Sequence, residues 1–302
     1  MDVVTLTLNP CLDRTLWVGE FGEPPAREEV QTGGKGVNVA RALKAQGVES
    51  VRLAGFVWRE GGNILENALK QTGVACDFCW LEGATRRNIK ILDEEKAEIT
   101  EVNSKSAPVA AEDVHFMREK LLCGAKDAKM VVLTGSLPTD CPADFYAQII
   151  EASPAPCALD ADGAALLAGA RAKPFLLKCN EKELGVIAQG ATALQRVRAA
   201  MDQGISIVLA SMGAQGSILA DASGAWRAAP LKLNVRSTVG AGDAMLSGFL
   251  AAYVRGESVR EAFRWAVASA SASVEGEGTF MPGSAEAARY LPYIQIERLM
   301  EW

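Results

Sequence analysis

Residues 237–248 read STVGAGDAMLSG and place one carboxylate, Asp243, directly behind two glycines. Residues 244–253, AMLSGFLAAY, carry apolar side chains at helical spacing, so a helix is predicted with Asp243 in its first turn. An acid at that position is common because it complements the positive end of the helix dipole. Gly240 and Gly242, however, let the backbone approach a ligand and direct amide groups outward, as in anion-binding sites. The combination suits a site where a hydroxyl loses a proton beside a phosphate.

The composition is that of an ordinary soluble globular protein, with 302 residues, 49% hydrophobic and 23% charged. This length fits one large α/β domain or two smaller ones. With 31 basic and 37 acidic residues the net charge is −6, which argues against a nucleic-acid partner and against an anionic membrane surface. No apolar run reaches the length of a membrane span, and the first ten residues do not resemble a signal peptide. A cytoplasmic location is expected.

The cysteines and the single histidine offer little chemistry. Cys76 and Cys79 form a CxxC, but no second pair and no histidine lie at zinc spacing, so a role as small buried hydrophobes is favoured over a redox or metal role. His115 lies in a predicted helix over residues 110–122. It is interpreted as an ordinary helix residue.

Apolar strands alternate with helices along most of the chain. Strands followed by helices predict a parallel sheet that is covered on both faces, and such sheets bind ligands beyond the carboxyl ends of their strands. The motifs GSLP, KCNEKE and SMGAQG each come directly after a predicted strand, so they are expected at that edge. The predicted strands cover residues 5–10, 50–57, 129–138, 156–162, 173–180 and 205–211, and the predicted helices cover residues 37–47, 62–73, 144–153, 181–189 and 192–204.

One segment breaks the alternation. Residues 85–103, TRRNIKILDEEKAEITEVN, alternate with period two across a polar turn, which predicts an antiparallel hairpin. Residues 12–18 and 27–32 read as further extended stretches. Together they predict a small sheet, formed by about 12–32 and 84–105, that acts as a lid. The alternative is a surface hairpin without a function.

Three further clusters are candidates for binding. The GGKG of residues 33–36 is neither a Walker A loop nor a dinucleotide fingerprint, but it offers close backbone approach and a cation, or it is only a glycine-rich helix entry. Arg86, Asn88 and Lys90 share one face of a predicted strand, which suits a phosphate and a hydroxyl, or else guards a charged sheet edge. Asn180 and Glu183 are spaced to face a metal-bound water or a phosphate, or else the acid only caps its helix.

The motifs NPCLD, GGKGVNVARAL, TRRNIKI, TGSLP, LKCNEKEL, SMGAQGS and STVGAGDAM occur in the order and spacing of the PfkB (ribokinase-like) carbohydrate kinases, which the chain therefore resembles. The resemblance covers nearly the whole chain. It implies a single domain over residues 1–302, with a three-layer α/β/α fold, a mainly parallel central sheet and a small β-sheet lid. Within the family the chain most resembles the branch that acts on phosphosugars.

The resemblance also implies a reaction and a set of roles. Asp243 would be the catalytic base, and the amides of Gly240, Ala241 and Gly242 would hold the transferring phosphoryl group. ATP and Mg²⁺ would be required. The substrate-binding residues would be Asp13, Gly34, Lys35, Gly36, Asn38, Arg86, Asn88 and Lys90; the ATP-binding residues would be Lys178, Asn180, Ser211, Gly213 and Gly216; and Glu183 would hold the metal through water.

The R-x-N-x-K pattern that ends at Lys90 favours fructose 1-phosphate as the substrate, phosphorylated at its 6-hydroxyl. Tagatose 6-phosphate is the alternative. A non-catalytic regulator that binds nucleotides or sugar phosphates is the alternative of another class, and the intact Asp243 speaks against it, since a binding protein has no need of a base. A homodimer with its lids in contact is a further hypothesis from the resemblance.

Overall fold

The fold is given by a computed structural model that describes residues 1–93, 95–96 and 98–301. Positions 94 and 97, in the turn of the predicted hairpin, lie outside the described residues. The strands are β1 (Val3–Thr7), β2 (Cys11–Val18), β3 (Arg27–Gly33), β4 (Val51–Trp58), β5 (Ala75–Ala84), β6 (Arg86–Asp93), β7 (Glu98–Asn103), β8 (Met130–Thr134), β9 (Cys157–Asp160), β10 (Leu176–Asn180), β11 (Ile207–Ser211), β12 (Ser217–Asp221), β13 (Gly224–Ala228) and β14 (Ile296–Met300).

The helices alternate with these strands through most of the chain. They are α1 (Lys35–Ala45), α2 (Arg59–Gln71), α3 (Ala111–Ala125), α4 (Phe145–Ala152), α5 (Gly163–Arg171), α6 (Glu181–Ile187), α7 (Ala193–Asp202), α8 (Ala241–Val254), α9 (Val259–Val274) and α10 (Ser284–Ala288). No helix among the described residues is long and apolar enough to cross a membrane.

The large sheet has ten strands in the order β14-β13-β12-β11-β10-β9-β8-β1-β4-β5. From β11 to β5 neighbouring strands are parallel, while β12, β13 and β14 extend the sheet antiparallel at one edge. The central strands β1, β8, β9, β10 and β11 are buried along nearly their whole length because both faces of the sheet are covered, as expected for a parallel sheet. The prediction of a mainly parallel central sheet is confirmed.

Helices cover both faces of this sheet. Side chains from α3 to α7 pack into one buried cluster, and side chains from α1, α2, α8, α9 and α10 pack into the other. Large aromatic residues fill both layers, for example Tyr146 in the first and Phe249 in the second, each fully buried. Burial of such a ring stabilises the fold by roughly 1.5–3 kcal/mol. The arrangement is the predicted three-layer α/β/α fold.

The two cysteines of the CxxC motif lie on opposite faces of the large sheet. Cys76 packs against the cluster that contains α8, whereas Cys79 packs against the cluster that contains α3. Residues three apart on a strand are about 10 Å apart and point to opposite faces. The two thiols therefore cannot form one disulfide or bind one metal ion, which agrees with the structural role predicted for them. His115 is an exposed residue of α3.

The predicted hairpin is present and belongs to a separate four-stranded sheet in the order β3-β2-β6-β7. Strands β2 and β6 are parallel, and the two outer pairs are antiparallel. Asp13 lies opposite Asn88 in the ladder between β2 and β6, and Thr15 lies opposite Lys90. Paired residues project from the same face, so Asp13, Asn88 and Lys90 lie on one face of the small sheet, as the sequence predicted for the β6 residues.

Candidate active site

The candidate site lies where the carboxyl ends of β9 and β10 meet the amino-terminal ends of α1 and α8. Asp243 is the third residue of α8 and is only 5% exposed. Its Oδ2 accepts a hydrogen bond of 2.8 Å from Nδ2 of Asn38, on α1. Two motifs that are 205 residues apart in the sequence are thereby joined in one site.

The surroundings of Asp243 raise its pKa. The pKa of Asp243 is raised to about 6, mainly by burial and next by the neighbouring carboxylate of Asp160. The hydrogen bond from Asn38 and the charges of Lys178 and Lys35 act in the opposite direction without cancelling the effect. A carboxyl group with such a pKa is ionised at neutral pH and accepts a proton more readily than an exposed aspartate.

The amino-terminal end of α8 is open. Gly240 caps the helix with a φ of +81°, a left-handed conformation that side-chain-bearing residues seldom adopt, and no side-chain hydrogen bond closes this end. The amide of Ala241 donates to the carbonyl oxygen of Thr238 at 3.3 Å, so one of the three predicted amides already has a partner. The other amides of this turn, with the helix dipole, are suited to an anion.

A buried carboxylate, Asp160, lies beside Asp243 and joins two lysines. Oδ1 of Asp160 lies 2.9 Å from Nζ of Lys35, and Oδ2 lies 3.1 Å from Nζ of Lys178. Asp160 is completely buried. Burial alone would raise its pKa, but the two ammonium groups outweigh that effect and leave the pKa lowered. Because the same carboxylate stabilises their charged forms, the pKa values of both lysines are raised although burial opposes this.

Sequence reasoning missed Asp160. In the sequence it is only the last polar residue of an apolar strand, and its partners are 125 and 18 residues away. The available signal was its position, since it ends a parallel strand as the motifs GSLP and KCNEKE do. Lys35, one of the predicted substrate-binding residues and expected to contact the phosphate of the sugar, is paired with Asp160. Its contact with that phosphate stays a prediction.

The glycines around Lys35 have a structural reason as well. A Cβ on Gly36 would lie 2.6 Å from the carbonyl oxygen of Leu6 and 2.8 Å from Cβ of Thr7, so only glycine lets α1 pack this closely on the end of β1. Gly34 is the N-cap of α1. Close approach of this backbone to a sugar stays a prediction.

The small sheet contributes a connected polar group. Nδ2 of Asn88 donates to Oδ1 of Asp13 at 2.8 Å. Arg86 donates to the side chain of Asn88 at 3.3 Å, and through two of its nitrogens to the carbonyl oxygen of Asn9, at 3.1 and 3.0 Å. The structure therefore brings together three of the predicted sugar-binding residues. Lys90, the fourth on this face, lies 3.5 Å from Glu101 on β7.

The NxxE motif forms a capping box at the start of α6. Oδ1 of Asn180 accepts from the amide of Glu183 at 2.9 Å, and Oε2 of Glu183 accepts from the amide of Asn180 at 2.7 Å. Helix capping by Glu183, the alternative to a metal or phosphate contact, is therefore present. The cap uses one carboxylate oxygen of Glu183 and leaves the other for a further partner. Contact of Glu183 with a metal through water stays a prediction.

The residues expected at the nucleotide lie along the same edge of the sheet. Ser211 ends β11 and is paired in register with Asn180 of β10. Gly213 and Gly216 follow in the turn before β12. Lys178 lies on β10, with its Nζ 2.5 Å from the point where a Cβ on Gly242 would be. Lys178 therefore borders the open end of α8, and contact of these residues with a nucleotide stays a prediction.

Residues 7–284 match the model of the pfkB family carbohydrate kinases. The chain belongs to this family. It is 33% identical to the 1-phosphofructokinase of Bacillus subtilis over 312 residues, covering 98% of this chain and 100% of the relative, and 30% identical to that of Escherichia coli over 307 residues, covering 98% of both. A crystal structure of phosphofructokinase-2 from Escherichia coli in complex with potassium is similar, with a TM-score of 0.88, 27% identity and coverage of 97% and 98%.

As a member of the pfkB family with 1-phosphofructokinases among its relatives, the chain is an ATP-dependent sugar-phosphate kinase, so the site must accommodate a nucleotide. Among the described residues no group of three or more His, Cys, Asp or Glu side chains is placed to hold a metal ion. Mg²⁺ commonly keeps several waters and binds through one or two carboxylates and the substrate phosphates. The free oxygen of Glu183 fits that kind of water-mediated contact, and a dedicated protein cage does not fit.

Proposed function

We propose that this chain transfers the γ-phosphoryl group of ATP to the 6-hydroxyl of fructose 1-phosphate, giving fructose 1,6-bisphosphate and ADP. The observation that carries the reaction type is the buried Asp243 at the open end of α8, held by Asn38 and with its pKa raised to about 6. The choice of fructose 1-phosphate is supported by the similarity to 1-phosphofructokinases over nearly the whole chain. A cytoplasmic location is part of the proposal, because the donor is ATP.

Asp243 is the general base in this proposal. Its carboxylate takes the proton of the 6-hydroxyl while the hydroxyl oxygen bonds to the γ-phosphorus. The bond from that phosphorus to the β,γ-bridging oxygen breaks, and ADP leaves with the electron pair. Proton abstraction by a placed base contributes about 10²–10⁴-fold in rate.

Positive charge offsets the charge on the transferring group. The open amides and the dipole of α8 face that group, and Lys178 lies over the same turn beside Gly242. Ser211, Gly213 and Gly216 border the nucleotide in this proposal. Mg²⁺ would be held by the phosphates and, through water, by Glu183, and it would neutralise charge on the β- and γ-phosphates.

The small sheet binds the sugar in this proposal. The linked side chains of Asp13, Asn88 and Arg86 offer both acceptors and donors for hydroxyl groups, and Arg86 and Lys90 offer positive charge for the 1-phosphate. Closure of the small sheet over the sugar would exclude water that could otherwise accept the phosphoryl group.

A homodimer through the lids also belongs to the proposal. On the face of the small sheet opposite Asp13, register places Val30, Arg14, Ile89 and Val102 in one row across its four strands. Val30 and Val102 are about half exposed, at 50% and 54%. Apolar side chains in such a row support contact with a second copy.

The test is ADP release from ATP and Mg²⁺ with fructose 1-phosphate, tagatose 6-phosphate and fructose 6-phosphate in parallel. A kcat/KM for fructose 1-phosphate about 10²-fold above the other two is expected, a ratio that a site built for one phosphate position can reach. A preference for tagatose 6-phosphate would replace the substrate and keep the mechanism. No turnover with any of the three, together with tight ATP binding, would favour the non-catalytic regulator.

A further inference from the structure

The Lys35–Asp160–Lys178 cluster has features that fold stability alone does not explain. Asp160 is completely buried at the end of β9, between β8 and β10, and each of its oxygens contacts a different ammonium group. The two lysines are balanced by two buried carboxylates, Asp160 between them and the neighbouring Asp243. Buried ion pairs seldom stabilise a fold more than apolar residues of similar size would.

The ammonium group of Lys178 lies at the end of α8 that attracts anions. Its Nζ lies over the first turn of α8, 2.5 Å from the place where a Cβ on Gly242 would be. A cation at the amino-terminal end of a helix is repelled by the helix dipole, which favours anions there. Lys178 also carries a long flexible stem that can move to other positions unless something holds its ammonium group.

We infer that Asp160 is a positioning residue that holds the ammonium groups of Lys35 and Lys178 together beside Asp243, so that both face the phosphoryl group during transfer. The three side chains come from β9, α1 and β10, and the carboxylate of Asp160 contacts both lysines. Asp160 acts through the lysines and does not touch the reacting atoms. The inference rests on the proposed phosphoryl transfer but not on which sugar accepts it.

A role of Asp160 as a direct metal ligand competes with this inference. Both of its oxygens already contact lysines, and Lys35 and Lys178 would have to move before a cation could approach. The two roles predict different responses to Mg²⁺. Loss of a metal ligand raises the Mg²⁺ concentration required for half-maximal rate, whereas loss of a positioning residue lowers kcat at saturating Mg²⁺.

The experiment is the substitution Asp160→Asn in the full chain, which keeps the size and one acceptor oxygen but removes the charge. We expect kcat to fall by about 10²-fold, comparable to the loss of one preorganised donor, while KM for the sugar phosphate and the Mg²⁺ requirement stay within about 2-fold. A double-mutant cycle combines Asp160→Asn with Lys178→Met. The fold-loss of kcat in the double variant should be smaller than the product of the two single fold-losses by at least about 10-fold. A residue that only supports the fold would not show this coupling.

Asp77→Asn is the matched control, since Asp77 also contacts two cations, Lys120 at 2.8 Å and Arg52 at 3.8 Å, but lies on β5. Its kcat should match the wild type. If Asp160→Asn fails to fold by circular dichroism, the double variant Asp160→Asn with Lys35→Met, which removes one charge of each sign, replaces it. Its kcat should lie below that of Lys35→Met alone, because Lys178 is no longer held.

Three results would overturn the inference: a kcat of the Asp160 variant within about 3-fold of the wild type, losses that multiply fully in the cycle, or a rate restored by high Mg²⁺. If the wild type turns over none of the three sugar phosphates, the proposed function has failed instead.

Discussion

Asp243 lies in an environment that disfavours its charge, and that environment defines how the rate depends on pH. The protonated acid cannot accept a proton from the sugar hydroxyl. Since its pKa is raised to about 6 by burial and by Asp160, the active form is lost as the pH falls through that value. We predict that kcat/KM falls about tenfold per pH unit below about pH 6 and is flat from pH 7 to 8, because kcat/KM reports the free enzyme. A profile that stays level down to pH 4.5 would contradict this.

Asp243→Asn tests the same residue for both catalysis and stability. Its amide oxygen can still accept from Asn38, but it cannot act as a base, so kcat should fall by about 10²–10⁴-fold while ATP binding, measured by calorimetry, is retained. Asp202→Asn, an exposed carboxylate on α7 that pairs with Arg198, should keep the wild-type rate. Near-normal turnover of the Asp243 variant would remove the proposed base.

The same substitution should stabilise the protein at alkaline pH. The folded pKa of Asp243 lies above the ordinary value of 3.8, so the folded state binds the proton more tightly than the unfolded state, and stability is lost as the pH rises from about 4 to about 6. The raised pKa corresponds to about 3 kcal/mol of destabilisation above pH 6. Asp243→Asn should therefore raise Tm by about 5 °C at pH 8 and by much less at pH 4.5. Equal changes in Tm at the two pH values would contradict this origin.

At the scale of single residues, the sequence predicts which side chains could carry the chemistry better than it predicts which side chains contact one another. Asp243 and Asn38 lie in motifs that could be recognised, and the structure joins them. Asp160 could not be recognised, because its role depends on Lys35 and Lys178, which only the parallel strand order brings to it. A carboxylate that follows an apolar strand is too common to single out by itself.

At the scale of elements, substitutions at the start of α6 distinguish the capping role of Glu183 from a role of its negative charge in holding a metal. Gln can replace Glu in a capping box, and this chain shows it, since Thr192 and Gln195 form such a box at the start of α7. Glu183→Gln should keep the wild-type Tm but require about 10-fold more Mg²⁺ for half-maximal rate, if Glu183 holds the metal through water. Asn180→Ala should instead cost about 1 kcal/mol of stability. An unchanged Mg²⁺ requirement in Glu183→Gln would leave this residue only its capping role.

Strand β6 offers a matched pair of variants for the sugar phosphate. Lys90 lies on the same face as Asn88, whereas its neighbour Arg87 lies on the other face and pairs with Glu60. Lys90→Met should raise KM for fructose 1-phosphate by about 10-fold with little change in kcat, because it removes a charge that binds ground state and transition state alike. Arg87→Met should leave both constants unchanged. Equal effects of the two variants would remove the assignment of Lys90.

Two physical reasons explain why the sequence analysis left some elements unassigned. Helices α5 and α9 are rich in alanine, glycine and serine, so their apolar faces are weakly marked in the sequence. Strands β12, β13 and β14 form an antiparallel edge, in which β14 comes from the end of the chain and pairs with a strand about 70 residues earlier. Periodicity does not report such long-range pairing.

At the scale of the whole molecule, the strand order of the large sheet assembles the site. Strand β1 lies between β4 and β8, and β9 lies between β8 and β10, so α1, β9 and β10 deliver Lys35, Asp160 and Lys178 to one edge. The family resemblance predicted this architecture because its motifs follow the carboxyl ends of these strands. What it could not predict is the geometry within the site, since residue spacing does not contain distances between elements.

The most direct test of the central claim identifies the hydroxyl that receives the phosphoryl group. Fructose 1-phosphate labelled with ¹³C at carbon 6 is incubated with ATP, Mg²⁺ and the protein, and the product is examined by NMR. We predict that the carbon 6 resonance becomes coupled to phosphorus and that one ADP forms for each bisphosphate. Release of ADP without that coupling, or a phosphate on another carbon, would contradict the assignment.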